Sequence, residues 1–403
     1  MRFNCLTEIV GAKADLRRHT LLTIIVVSMF CTACGPYSAD QSDGVEGSQL
    51  NWLPLPTGTV TRIAFGSCTR RLADHSIFNA VVEVDPDLFL HLGDAIYPDV
   101  DDEETAPLDP WPTPNSLSRI EAFYAEVALR PEYTRLRESV PTMAVWDDHD
   151  YGVNDGGGDF EFKEETQSLF LDFYGEPAGS WRRSTPGIYD SRVFGPEGQR
   201  VQVILLDVRY FRSAPIPDTR SDDEKKALNI AGRYMASDDP AATVLGDAQW
   251  AWLEERLREP AEVRLLVSGY PIVPTELGRD AWGNFPSERQ RLFDLVGETG
   301  ASGVVFLSGD VHFAEISQSD EGPYPMIDFT SSPLAAPSVG NELLANSRRI
   351  SDTYTEHNFG LIEIDWDAEP SPILTLRVLD IKGADVLRHE VPLRTLAVGG
   401  SPR

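Results

Sequence analysis

Apolar and polar positions along the chain switch period repeatedly between 2 and about 3.6, and the switches come as strand-then-helix pairs. Residues 60–66, within TVTRIAFG, alternate and are β-branched, which predicts a first strand ending at Ser67-Cys68. Residues 76–83 (SIFNAVVE) have the spacing of a short amphipathic helix. Residues 88–92 then form an apolar run that closes on Gly93-Asp94. This rhythm predicts a largely parallel sheet buried on both faces. Helical patterns follow at 116–129, 133–139, 162–174, 247–259 (capped near Asp247) and 287–296 (capped by Ser287). Strand patterns occur at 142–146, 201–206, 265–267, 303–307, 326–330, 360–365 and 373–379. No internal repeat is visible, and no change of composition after residue 51 marks a second domain. Residues 98–114 hold six acidic residues and five prolines, the makeup of a long surface loop or a lid. Gly156-Gly157-Gly158 lacks a Walker lysine and a dinucleotide fingerprint, so it reads as a flexible turn.

The first 51 residues depart from this pattern. Lys13, Arg17 and Arg18 precede an uncharged apolar run over 21–33, too short for the roughly 20 residues of a spanning helix. Cys31-Thr32-Ala33-Cys34-Gly35 is similar to a bacterial lipoprotein cleavage site with Cys34 as the lipidated residue. Ordinary cleavage to a soluble secreted protein is the alternative. The expected organisation is a leader over 1–34, a small, polar, acidic tether over 35–51 and one domain over 52–395. The expected location is the bacterial periplasm or cell surface. With 403 residues, 41% hydrophobic and 25% charged, the composition is that of a globular protein. The net charge of −29 argues against nucleic acid as a partner, and no protein partner is indicated. Three of the four cysteines lie in the leader segment, leaving Cys68 alone in the domain. A disulfide framework is therefore excluded, and burial or metal ligation must account for the thiol.

Chemistry collects where strands end. Cys68, Asp94 with Tyr97, Asp148 with His149, Arg209, and Asp310 with His312 each follow a predicted strand. In open α/β sheets the carboxyl ends of strands face the crevice where ligands bind, so these residues could converge. Carboxylates, imidazole, phenolate and thiolate together suit two cations about 3.5–4 Å apart, an arrangement that clamps a phosphoryl group. The set is too oxygen-rich for a structural zinc site. Tyrosinate with thiolate suits iron, and the remaining carboxylates suit calcium, manganese or magnesium. Arg209 could grip two phosphate oxygens or form a structural salt bridge. Asp147 and Asp150 read as residues that orient their neighbours, with Trp146 packed beneath.

The motifs Phe65-Gly66-Ser67-Cys68, Gly93-Asp94-Ala95-Ile96-Tyr97, Trp146-Asp147-Asp148-His149-Asp150-Tyr151-Gly152, Leu206-Asp207-Val208-Arg209-Tyr210-Phe211-Arg212 and Ser308-Gly309-Asp310-Val311-His312-Phe313-Ala314-Glu315 stand in this order. The chain thereby resembles the PhoD-like alkaline phosphatases and phosphodiesterases of the metallophosphoesterase superfamily, over about residues 60–380. The resemblance implies an α/β fold, a two-sheet sandwich flanked by helices. It also implies hydrolysis of phosphate monoesters or diesters by a metal-activated hydroxide, with small phosphate esters as substrates. A non-catalytic lipoprotein keeping the fold as a binding module is the alternative. By the same resemblance, Cys68, Asp94 and Tyr97 would hold an iron-type ion and Asp94 would bridge to a second metal. Asp148 stands where related proteins place an asparagine ligand, and Asp310 and His312 match the last ligand motif. His149 occupies the position that protonates the leaving oxygen. The implied cofactors are two or more metal ions, Fe3+ with a divalent ion, Ca2+ favoured over Zn2+ or Mn2+. The superfamily's more usual Asp-x-His first motif is replaced here by Cys68-Thr69-Arg70.

Overall fold

The computed structural model describes residues 50–100, 112–227, 232–338, 340 and 344–399. The expected leader, Cys34, the tether up to residue 49 and residues 101–111 of the acidic segment lie outside the described residues. Fourteen strands are present among those described, numbered along the chain. Six of them form a first sheet in the order β14 (Asp385–Pro392), β13 (Ile373–Asp380), β12 (Asn358–Asp365), β1 (Arg62–Gly66), β2 (Leu88–His91) and β3 (Thr142–Ala144). Another six form a second sheet in the order β10 (Glu315–Ser319), β11 (Met326–Thr330), β9 (Val304–Ser308), β8 (Val263–Ser268), β5 (Val201–Leu205) and β4 (Asp190–Phe194). A two-stranded ribbon joins β6 (Ile216–Pro217) to β7 (Tyr234–Met235).

The predicted parallel character holds for part of each sheet. β1, β2 and β3 run parallel, as do β5, β8, β9 and β11. Helices lie between most of these strands in sequence, including Ile77–Glu83, Pro131–Ser139, Gly246–Leu257 and Pro286–Thr299. They supply the long crossovers that parallel pairing requires. The other pairs in these sheets are antiparallel; among them β12, β13 and β14 are joined by turns too short for a crossover. Three helices, Pro114–Ala128, Pro131–Ser139 and Pro286–Thr299, begin on a proline, whose fixed φ and missing N–H suit a first helical position. Ser287, expected to cap the last of these, therefore sits inside its first turn. Among the described residues, no helix is long and apolar enough to cross a membrane.

The strands of β1, β2, β5, β8, β9 and β11 are almost wholly buried, and their side chains form one apolar core shared by both sheets. Phe65 of β1 meets Phe329 of β11 edge to face, with ring centroids 4.9 Å apart. Gly360, the register partner of Phe65 on β12, makes room for this contact, since a Cβ there would lie 2.2 Å from the Phe65 ring. Burying each ring contributes about 1.5–3 kcal/mol. Of the strands that the pattern did not foretell, β4, β10 and β14 carry polar residues and lie at sheet edges, and the two-residue β6 and β7 pair with each other.

His91 ends β2 with no exposed surface. Its Nδ1 lies 2.6 Å from the Tyr174 hydroxyl, and its Nε2 has no partner among the described residues. Burial pushes its pKa down to about 3, so the imidazole is neutral in the fold. The unfolded chain takes up that proton below about pH 6.5. The depressed pKa therefore contributes stability that is present above pH 6.5 and is lost as the pH falls toward 3. Denaturant melts at pH 7 and pH 5 should show His91→Gln losing about 2 kcal/mol less than the wild type between the two. An equal loss in both proteins would contradict this account.

Candidate metal centre

The strand ends that carry ligand-type residues come together because β1, β2 and β3 of one sheet and β5, β8 and β9 of the other run parallel within their sheets. The chain must turn sharply where each strand stops. Cys68, Asp94, Asp310 and His312 take left-handed conformations there, with φ of 64°, 56°, 66° and 61°, and Asp155 nearby has φ 55°. Only one other non-glycine residue among those described, Asp85, has a positive φ. Each such conformation costs on the order of 1–3 kcal/mol, and such costs cluster where side-chain direction matters to function. Two glycines let the turns close. A Cβ at Gly93 (φ 99°) would lie 2.4 Å from the Asp147 backbone nitrogen, and one at Gly269 would lie 2.4 Å from the Asp147 carboxylate.

Asp94 is the centre of the arrangement. Its Oδ2 accepts a hydrogen bond from the Tyr97 hydroxyl at 3.0 Å and lies 3.5 Å from the Cys68 sulfur. Its Oδ1 accepts from the His149 backbone N–H at 3.3 Å. The Tyr97 oxygen is 3.4 Å from His312 Nε2. His312 Nδ1 bonds to the Ala336 carbonyl, which fixes the tautomer and leaves the Nε2 lone pair aimed at the site. Cys68, His312 and Asp94 offer ligand atoms within 4.8 Å of one another. So do Asp94, Asp148 and His149, and so do Asp94, Asp147, Asp148 and Asp310. Asp148 is held by backbone N–H groups of His149 at 3.0 Å and Asp155 at 2.7 Å. Asp150 acts as expected for a supporting residue: it accepts from the Ala95 N–H at 3.0 Å and ties the Asp94 turn to the helix Asp148–Tyr151. Trp146 is buried beneath, its indole N–H donating to Asp207.

The donor set fits cations, and its electrostatics call for them. Burial pushes the Asp94 and Asp310 carboxyls well above the usual carboxylate range, and neighbouring carboxylates add to the rise. Burial also raises the Tyr97 phenol and pushes the Cys68 thiol up to about 12. Four acids that resist ionisation crowd into one place, and a positive ion reverses that resistance by giving each anion a partner. The buried Asp147 Oδ2 has no hydrogen-bond partner among the described residues. His312, whose pKa burial lowers to about 4, is neutral and ready to ligate. Burial alone would lower the His149 pKa, but Asp148, Asp94 and Asp99 outweigh it and raise it to about 10. Cations that shared those carboxylates would bring it down again.

A profile of the PhoD-like phosphatases matches residues 63–369. The chain belongs to the PhoD-like phosphatase family. It is similar to alkaline phosphatase D of Bacillus subtilis, 23% identical over 286 residues, which are 64% of this chain and 47% of that protein. The chain thus spans about half the length of the curated relative it matches. A solved structure titled "Structure of PhoD" superposes with a TM-score of 0.59 at 17% identity, covering 84% of this chain and 73% of that one. This likeness bears out the two-sheet α/β fold.

The PhoD-like motifs bring Cys68, Asp94, Tyr97, Asp148, His149, Asp310 and His312 together, but Arg209 stands apart. Its guanidinium is fully buried, 2.6 Å from Asp147 and 2.5 Å from Asp280, and it lies over the Tyr270 ring. These buried carboxylates hold its pKa well above the ordinary arginine value against the opposing effect of burial. Of the two readings left open for it, the geometry matches a salt bridge, with Asp147 and Asp280 as partners. Removing one partner of such a pair costs roughly 3–5 kcal/mol.

Residues that sequence alone did not single out complete the site. Asp280 joins Asp148 and Asp155 in a further carboxylate group and also binds Arg212 at 2.7 Å. Asp99 lies 2.6 Å from His149 Nδ1 and accepts from the Asn154 N–H at 2.8 Å. Arg70, Arg233 and Arg279 line the pocket above, a cavity of about 240 Å3 shared with Tyr97, Asp148, His149, Asp310 and His312. A larger cleft, about 850 Å3, lies between the helices Gly246–Leu257 and Pro286–Thr299 but contains none of these ligand groups.

Gly93→Ala tests the close approach. The added methyl meets backbone, which cannot swing aside as a side chain can. The variant should remain folded by circular dichroism yet bind less metal per chain, with stability lower by about 1–3 kcal/mol. Wild-type metal content in a folded Gly93→Ala protein would refute it.

Proposed function

We propose that this chain is a metal-dependent phosphohydrolase that cleaves phosphate monoesters or diesters. The observation that carries the reading is Asp94, whose carboxylate belongs both to the Cys68–His312 group beside Tyr97 and to the carboxylate group of Asp148 and Asp310. Cys68, Asp94, Tyr97 and His312 would hold an iron-type ion, while Asp94, Asp148 and Asp310 would hold a divalent ion, Ca2+ favoured over Zn2+ or Mn2+. Bound there, such ions supply Lewis acidity, neutralising phosphoryl oxygens and making a nucleophile available from water near neutral pH.

The chain's own residues do the rest. Asp99 accepts a hydrogen bond from His149 Nδ1–H and so fixes which nitrogen faces the pocket. The protonated Nε2 of His149 gives its proton to the leaving oxygen as the phosphorus–oxygen bond breaks, and solvent returns it. The ring of Tyr97, 4.1 Å from that of His149, limits the imidazole's swing. Asp94 and Asp148, held by backbone N–H groups, keep the ligand atoms in place. We further infer export, with residues 1–34 as leader and a lipid on Cys34. If so, Cys34→Ser expressed in a bacterial host should move the protein from the membrane pellet to the soluble fraction. A wild-type protein already soluble would contradict the anchor.

Metal analysis with a panel of mono-, di- and triesters tests the catalytic reading. The dialysed protein should retain at least two metal ions per chain. Asp94→Ala should lose the metals and several kcal/mol of transition-state stabilisation, roughly a thousandfold or more in kcat. With iron beside the phenolate, the protein should carry a visible charge-transfer band that Tyr97→Phe removes. Bound metals without turnover of any ester would favour the non-catalytic alternative.

A further inference from the structure

The phosphoryl group needs a cation that can reach it, and the arginine that the motifs pointed to cannot serve. Arg209 is sealed from the pocket by its own ion pairs, and Arg212 beneath it is fully buried against Asp280. The need is acute in a chain of net charge −29 whose pocket is walled by Asp148, Asp280 and Asp310. An anion entering there meets repulsion unless a local positive group offsets it.

Of the three arginines on the pocket wall, Arg279 already has a partner of its own, and the other two differ in how they are engaged. Arg233 is tied to Asp155 at 2.8 Å, and Asp155 in turn supports Asp148 through its backbone N–H. Its charge is spent on the second carboxylate group. Arg70 is different. Its backbone is pinned at the site: the Arg70 N–H donates to the Ala335 carbonyl at 3.2 Å, and the preceding Thr69 N–H donates to the Asp94 carbonyl at 2.8 Å. Its side chain is exposed on the pocket wall, with the guanidinium 5.7 Å from the centre of the Tyr97 ring. Among the described residues it makes no ion pair. Arg70 thus combines a fixed base, an aromatic surface that steadies the guanidinium plane, and donors still available to a ligand.

We propose that Arg70, two residues after Cys68, is the specificity-determining residue that grips the non-bridging oxygens of the substrate's phosphoryl group. The inference rests on the phosphohydrolase reading. The cavity, about 240 Å3, brings Arg70 to the same wall as Tyr97, His149 and Asp310, and a planar fork matches two oxygens of a phosphoryl group.

Inorganic phosphate is the probe. Its binding to the metal-loaded protein is measured by calorimetry, beside metal content and ester turnover, for the wild type, Arg70→Ala, Arg70→Lys and Arg233→Ala. Arg70→Ala should keep its metals and bind phosphate about 10- to 100-fold more weakly, the loss expected for a charge-assisted contact. Arg70→Lys should recover part of the affinity, since it restores the charge but not the fork. Arg233→Ala should lose less than Arg70→Ala. Wild-type phosphate affinity in Arg70→Ala, or loss of its metals, would overturn the proposal. Failure of the phosphohydrolase reading has a separate signature: the metal-loaded wild type turns over no ester, however it binds phosphate.

Discussion

Carboxylates taken out of water must gain a counter-charge, and the folding of this chain places Asp94, Asp147, Asp148, Asp280 and Asp310 within one small region. An isolated ionised carboxylate in such surroundings is costly enough that it would rather take up a proton. The fold answers half of the problem itself. Arg209 and Arg212 enter from beyond the end of β5 and pair with Asp147 and Asp280 in short, fully buried contacts; the two guanidiniums hold the Asp280 carboxyl below its usual range, while burial still pushes Asp147 up to about 8. Asp94 and Asp310, together with Cys68 and Tyr97, make no ion pair with an arginine or lysine among the described residues, and burial drives their pKa values up.

The same constraint explains the backbone. Side chains at the ends of parallel strands point outward unless the chain reverses within one or two residues. The left-handed turns at Cys68, Asp94, Asp310 and His312 perform that reversal. Gly93 and Gly269 allow the turns to close on Asp147 without a Cβ in the way. The conformational cost of these turns is spread through the site and is offset by the apolar core behind it, where Phe65 and Phe329 lock the two sheets face to face. The site's direction is therefore a property of the whole sandwich.

Much of this was legible in the sequence. Buried parallel strands announce themselves as apolar runs, and a ligand-type residue just after such a run is placed by the strand it follows, as at Asp94, Asp148 and Asp310. β14 was less visible because apolar and charged residues mix along it. Arg209 showed its position but not its partners, since Asp280 lies in the loop beyond β8, far from any strand-end motif. Asp99 was hidden among five other acids of a proline-rich segment, and only its contact with His149 distinguishes it. Arg70 and Arg233 are ordinary surface arginines by composition, and their importance comes from the walls they occupy.

Anomalous diffraction from crystals of the metal-loaded protein tests most directly the proposal that Asp94 joins two cation sites. Two peaks should appear about 3.5–4 Å apart, one against Cys68, Tyr97 and His312 and one against Asp148 and Asp310, with the Asp94 carboxylate touching both. A single ion held away from Asp94, or no ion bound at these residues, would contradict it.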